Sequence, residues 1–147
     1  MQKELIIEKK AVNESDTKEF VKLSLKHFQS RDTILLYGDL GSGKTYLIKK
    51  FSKMLGVDFE VTSPSFSIIN QYQGDVFINH LDFYRVQHHN ELLNLGLDDI
   101  FNMNSINFIE WPQIIENQIT WDHYRIYIEF FDENPSGRYF KLISMRN

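Results

Sequence analysis

Apolar residues recur along this chain in two rhythms, and their changes of rhythm predict the order of its elements. "ELIIEK" (Glu4 to Lys9) reads as a short first strand. Phe20, Val21, Ser24, Leu25 and Phe28 then fall on one helical face, with Ser15 or Asp16 placed to cap it. "TILLYG" is an almost unbroken apolar run, as expected of a strand covered on both faces in a parallel sheet. Leu47, Ile48, Phe51, Met54 and Leu55 form a second helical stripe, closed by Gly56. "SFSIINQY" and "VFINHLDFY" read as strands around the turn signal "QGD". "HNELLNLGLDDIF" reads as one or two short helical pieces broken at Gly96, and "INFIEW" as another buried strand. "YRIYIEFFDE" and "GRYFKLIS" alternate apolar and polar residues around "NPSG", the pattern of a hairpin packed on one face. Strands interleaved with helices and followed by an antiparallel tail predict an α/β layered domain. No repeat or Pro/Gly/Ser linker interrupts it, so residues 1–147 are expected to form a single domain.

Composition narrows the classes. The 147 residues are 42% hydrophobic and 14% aromatic, enough for a packed core. The absence of cysteine excludes disulfides, thiolate metal sites and cysteine nucleophiles, and suits a reducing cytoplasm. The charged start, "MQKELIIEKKAVNESD", lacks the apolar run of a signal peptide. No segment approaches the ~20 apolar residues of a membrane-spanning helix. With a net charge of −4 and no long Lys/Arg run, direct duplex binding is not expected. A partner would supply any nucleic-acid surface.

The chemistry centres on Gly38-Asp39-Leu40-Gly41-Ser42-Gly43-Lys44-Thr45, which satisfies G-x-x-x-x-G-K-[ST] between a buried strand and an amphipathic helix. Glycines let the backbone approach phosphate oxygens, so that successive N–H groups and a helix N-terminus point inward. Lys44 would reach the terminal phosphates, and the Thr45 hydroxyl would meet Mg²⁺. Two other predicted strands end in acids: "VFINHLD" delivers Asp82 and "INFIE" delivers Glu110. Carboxyl ends of parallel strands are where such sheets collect ligands. Asp82 is placed for a second metal contact, usually through water. Glu110 is placed either for the metal or to polarise an attacking water.

Other features stay open at this level. "TSPSFS" (Thr62 to Ser67), bent by Pro64, is either a loop that senses the γ-phosphate or Mg²⁺ or an ordinary entry into a strand. Arg85, three residues past Asp82, is a phosphate contact, a partner contact or a solvated surface cation. His27, His80, His88 and His89 have no zinc-site spacing and suit core or surface roles. A regulatory GTPase is excluded on two counts: none of the seven glycines follows an Asp by three positions, and "NK" never occurs. A small-molecule kinase would carry an arginine-rich lid, whereas the segment after Glu110 is poor in basic residues until Arg125. A kinase is therefore a minor alternative.

Taken in order, "LLYGDLGSGKT", "VTSPSFSIINQY", "HLDFYR", "ELLNLGLDDIF" and "FIEWPQ" resemble the bacterial TsaE family, also called YjeE. The phosphate loop is generic, but "SP[ST]F", "H-x-D-x-YR" and "EWP" together are specific. The resemblance implies a three-layer P-loop NTPase domain with a mostly parallel central sheet and an antiparallel C-terminal hairpin. It implies a small ATPase needed for threonylcarbamoyladenosine modification of transfer RNA. Such a protein acts with TsaB and TsaD and touches the RNA only indirectly, consistent with an acidic chain. Carried over, ATP phosphates would be held by Asp39, Leu40, Gly41, Ser42, Gly43 and Lys44. Mg²⁺ would be held by Thr45 and Glu110, with Asp82 at or beside the metal. Lys44, Glu110 and Asp82 would form the catalytic set. Ser63, Pro64 and Ser65 fall on the family's switch-like loop, Trp111 beside the acidic residue, and Thr17 near the nucleotide base. Ser65 stands where the family more often has Thr, and Phe83 replaces the usual Leu of "HxDLYR". An alternative from another class is an ATP-gated binding module in which hydrolysis is incidental.

Overall fold

The computed structural model describes residues 1–64, 66–131 and 135–147. The elements run in the order β1 (Gln2–Ala11), α1 (Glu14–Leu25), β2 (Thr33–Tyr37), α2 (Lys44–Met54), β3 (Ile69–Gln73) and β4 (Phe77–Asp82). They continue with α3 (Leu97–Asn102), β5 (Ser105–Glu110), β6 (His123–Phe130) and β7 (Arg138–Arg146). The seven strands form one sheet in the order β1-β7-β6-β2-β5-β4-β3. Its centre is parallel: β2 pairs with β5 and β6, and β5 with β4. Antiparallel pairings border it, β6 with β7, β7 with β1, and β4 with β3. The sheet is thus mixed, with the parallel strands confined to its middle.

The unbroken apolar run "TILLY" is explained by its place. Ile34 and Leu36 point to one face of the sheet, where Phe20 and Val21 of α1 and Leu47, Ile48 and Phe51 of α2 complete one core. Leu35 points to the other, packing with Leu81 and Ile109 beneath Leu92, Ile100, Ile115 and Ile119. Three layers result, with two full helices on one side and short helical turns on the other. Every residue of β5 is buried, for the same reason.

Local chemistry refines the sequence reading at three places. The first helix begins earlier than a Ser15 or Asp16 cap implies. Asn13 is the cap, its Oδ1 accepting from Asp16 N–H at 2.9 Å. Asp16 Oδ2 returns the bond by accepting from Val12 N–H at 3.0 Å. A residue displaced from the cap to the third helical position thus still satisfies a donor at the helix start. "SFSIINQY" yields a strand only from Ile69, because Ile68 has φ 67°, a left-handed conformation that stops extension. "HNELLNLGLDDIF" is two pieces, a 3₁₀ turn over His89–Leu92 and then α3, parted at Gly96 as expected.

Candidate phosphate and metal site

β2 runs directly into the glycine loop. Gly41 (φ 79°) and Gly43 (φ 102°) are both left-handed, and a Cβ at either would meet nothing within 4 Å. The loop therefore needs glycine for its backbone conformation rather than for space. Gly43 caps α2 without a side-chain bond, so the first N–H groups of that helix face the loop.

Lys44 opens α2 and is only 5% exposed. Its Nζ donates to the carbonyl oxygens of Gly38 (2.6 Å) and Asp39 (3.1 Å) and lies 4.1 Å over the Trp111 ring centroid. Burial pushes its ammonium below the usual lysine range, opposed by the charges of Glu110, Asp82 and Asp39. Two backbone carbonyls thus partner the buried ammonium.

The two strand-end acids meet because β4 and β5 are parallel neighbours in register, Asp82 opposite Glu110. Glu110 is 3% exposed. Its Oε1 and Oε2 both accept from the Thr45 hydroxyl, at 3.0 and 2.9 Å. Its Oε2 lies 2.6 Å from His80 Nε2. Asp82 Oδ1 accepts from Tyr84 N–H at 2.9 Å, and Ser63 Oγ lies 3.5 Å from Oδ2. Burial raises the Asp82 carboxyl above the usual range, and the Glu110 charge adds to the rise.

These groups converge on a cleft of about 380 Å³ lined by Leu40, Gly41, Gly43, Lys44, Thr45, Ser63, Asp82, Glu110 and Trp111, with Tyr46, Tyr84 and Arg85. Thr17 and Ser42 lie elsewhere. They line a second cavity of about 410 Å³ with Val12, Tyr46, Arg138 and Phe140, and Gly43 and Tyr46 border both. Asp39 stands on the outer side of the loop, in a surface depression beside Tyr37 and Tyr127. Ser65 lies outside the described residues, and the neighbouring Pro64 is buried.

Trp111 has φ 52° and ψ 56°, immediately before Pro112. Left-handed geometry is unusual for a bulky residue, and a residue before proline normally stays extended. This bend turns the indole back over Lys44 and against Tyr84, ring centroids 5.0 Å apart. The chain leaves β5 here, so the strain sits at the rim of the cleft.

The sequence model described as "Threonylcarbamoyl adenosine biosynthesis protein TsaE" matches residues 11–139. The chain belongs to the TsaE family. The TsaE family relative from Bacillus subtilis, named a tRNA threonylcarbamoyladenosine biosynthesis protein, is 36% identical over 121 residues, 82% of this chain and 75% of that one. The Haemophilus influenzae protein of the same name is 31% identical over 132 residues, 88% and 82% of the two chains. The crystal structure of Bacillus subtilis YdiB superposes with a TM-score of 0.76 at 28% identity, covering 98% of this chain and 88% of that one.

In this TsaE family chain two site residues escaped the sequence reading. His80 was placed among core or surface histidines. It is fully buried, but against Glu110. The available signal was H-x-D inside a strand, which puts His80 and Asp82 on one face. Arg138 comes from the far end of the chain: its Nε donates to the Ser42 carbonyl at 2.8 Å, bracing the phosphate loop from β7. Nothing in the sequence around Arg138 signals that reach. Arg85 lines the cleft with its guanidinium 4.6 Å over the ring of Phe66, which is 89% exposed.

Proposed function

We propose that this chain binds ATP with Mg²⁺ and hydrolyses it slowly, in service of threonylcarbamoyladenosine formation on transfer RNA and together with TsaB and TsaD. The observation that carries the reading is the meeting of Thr45, Glu110 and Asp82 beside Lys44 in one cleft. The donor set fits magnesium. No group of three or more His, Cys, Asp or Glu suited to a metal occurs among the described residues. Mg²⁺ is commonly held by one or two carboxylates, a hydroxyl, waters and substrate phosphates rather than by a protein cage. Bound there, the ion would neutralise charge on the phosphates as the terminal bond breaks.

The chain's own groups divide the remaining work. Loop amides and the Lys44 ammonium bind phosphate oxygens. Asp82, Glu110 and Thr45 hold the cation, and Glu110 or Asp82 orients water. Trp111 and Tyr84 wall the cleft. The cavity beside Thr17, with Val12 and Phe140 as apolar surfaces, suits the nucleoside end. Slow turnover is expected, because Arg85 is engaged with Phe66 and, among the described residues, the lining offers only Lys44 as a second cation. Among the described residues no helix is long and apolar enough to cross a membrane. ATP turnover of the wild type, Lys44→Ala and Glu110→Ala, with and without purified TsaB–TsaD, tests the assignment. Equal turnover in all three proteins refutes it.

A second reading is favoured by the connection between the 62–68 loop and the site. Asp82 N–H donates to the Ile68 carbonyl at 2.9 Å, and Ser63 approaches its side chain. The same loop displays Phe66. Occupancy at the metal would therefore reach a partner-facing surface without bond cleavage, as in a nucleotide-gated module. Transfer RNA modification driven repeatedly by a non-hydrolysable ATP analogue would favour this reading over the first.

A further inference from the structure

His80 is fully buried on β4, and its Nε2 lies 2.6 Å from Glu110 Oε2. Its Nδ1 is buried as well, with no hydrogen-bond partner among the described residues. These two facts assign the ring proton. An ionised carboxylate accepts and never donates, so the nitrogen facing it carries hydrogen. A proton on Nδ1 would be a buried donor without an acceptor, which is costly. The arrangement therefore favours the Nε2–H tautomer, with that N–H directed at Glu110.

We propose that His80 is a positioning residue that fixes the Glu110 carboxylate for the cation, an inference that rests on the magnesium reading above. Among the described residues Glu110 has two side-chain partners of different character. Thr45 offers a hydroxyl, which shares its hydrogen between both oxygens and belongs to the helix that starts at the phosphate loop. His80 offers a rigid N–H from the adjacent strand, where it pairs in register with Phe108, as Asp82 does with Glu110. A cation that takes the Thr45 hydroxyl ends the first bond and leaves the second. His80 then determines which oxygen stays bound to protein and leaves Oε1 for the metal. A donor held by two paired strands and full burial is the kind of support that keeps a ligand within a fraction of an ångström. It also keeps a buried carboxylate partnered when Thr45 turns away.

Simple core filling is the competing role, and it predicts that an apolar residue of similar size serves as well. The test measures Mn²⁺ binding by electron paramagnetic resonance in the presence of ADP, and ADP binding in EDTA, for the wild type, His80→Leu and His80→Gln. The expected result is ~10- to 100-fold weaker Mn²⁺ binding in His80→Leu, the range for loss of a ligand's supporting partner. Metal-free ADP affinity stays unchanged, and His80→Gln, which keeps a donor amide, recovers most of the metal affinity. Mn²⁺ binding in His80→Leu equal to wild type overturns the proposal, as does His80→Gln being no better than His80→Leu. Should His80→Leu fail to fold, ¹⁵N resonances of the wild-type ring decide: a proton on Nδ1 overturns the proposal, and one on Nε2 with rescue by His80→Gln upholds it. A wild type that binds ADP but no Mn²⁺ refutes the magnesium reading itself, a result distinct from metal binding that ignores His80.

Discussion

Replacing Thr45 by Val changes one oxygen to a methyl at the centre of the site, and the structure sets the size of the effect. The hydroxyl donates to both oxygens of a carboxylate that is almost wholly buried. Hydrogen bonds to charged groups contribute about 1.5–3 kcal/mol. Against this, the new methyl is worth at most ~0.8 kcal/mol, and less here because Thr45 is only half-buried. The β-branched shape is retained, so helix propensity and packing barely change. The expected net loss is therefore about 1.5 kcal/mol in the ligand-free protein. For a chain of 147 residues, this is a fall in Tm of roughly 3–6 °C. Urea unfolding gives the free energy directly, and Thr45→Ser serves as the control that keeps the hydroxyl. Ligand linkage adds a second reading: Mg²⁺–ADP at 100 times its Kd stabilises a binding protein by about 2.7 kcal/mol. That increment should survive in Thr45→Ser and shrink in Thr45→Val. A Thr45→Val protein as stable as wild type would show that Glu110 does not depend on this hydroxyl. The account of the paired site would then fail.

Three further outcomes follow from neighbouring groups. Asp82 has its carboxyl raised by burial, so the folded state holds a proton that the unfolded chain releases. Its contribution is present below the unfolded carboxylate range and is lost as pH rises through the folded value. Asp82→Asn should stabilise the ligand-free protein at neutral pH by an increment that shrinks as pH falls through the folded value, read by thermal melts across pH. An increment that stays constant or grows on acidification would contradict this. At Ile68, with φ 67°, the usual order of small residues should invert. Ile68→Gly should be more stable than Ile68→Ala by about 1 kcal/mol, since only glycine takes left-handed geometry freely, and urea midpoints decide. Arg138→Met keeps the stem but removes the donor to the Ser42 carbonyl. It should weaken nucleotide binding severalfold in a titration while ~1 kcal/mol of stability is lost, and unchanged affinity would show that the brace is idle.

The sequence made some parts legible because they obey local rules. "TILLY" and "INFIE" are continuous apolar runs because each lies between two layers, and the strand-end position of Asp82 and Glu110 followed from that. The glycine loop was legible because its backbone geometry admits few other residues. What stayed hidden depends on pairings made across long stretches of chain. The partnership of β1 with β7 joins strands from opposite ends of the sequence, and alternation alone does not say which strands meet. His80 carried a visible pattern, but its proton's destination on Glu110 needed the β4–β5 register. Ile68 and Trp111 carry no local mark of left-handed geometry. Their conformations are imposed by the anchored loop and the closing rim around them. Thr17 and Ser42 share a second cavity rather than the cleft of Lys44 and Glu110, a separation visible only once α1 and β7 flank the loop.

The bond from Arg138 to Ser42 spans 96 positions of chain. During synthesis the whole phosphate motif is therefore in place long before one of its supports exists. A chain stopped short of β7 would carry every motif residue and still lack Phe140 and Arg138 from the wall beside Thr17. Ligand capture should then report on completion of the polypeptide. In a genetic screen, changes in the last hairpin would present as nucleotide-binding defects even though no motif search would connect them to the loop.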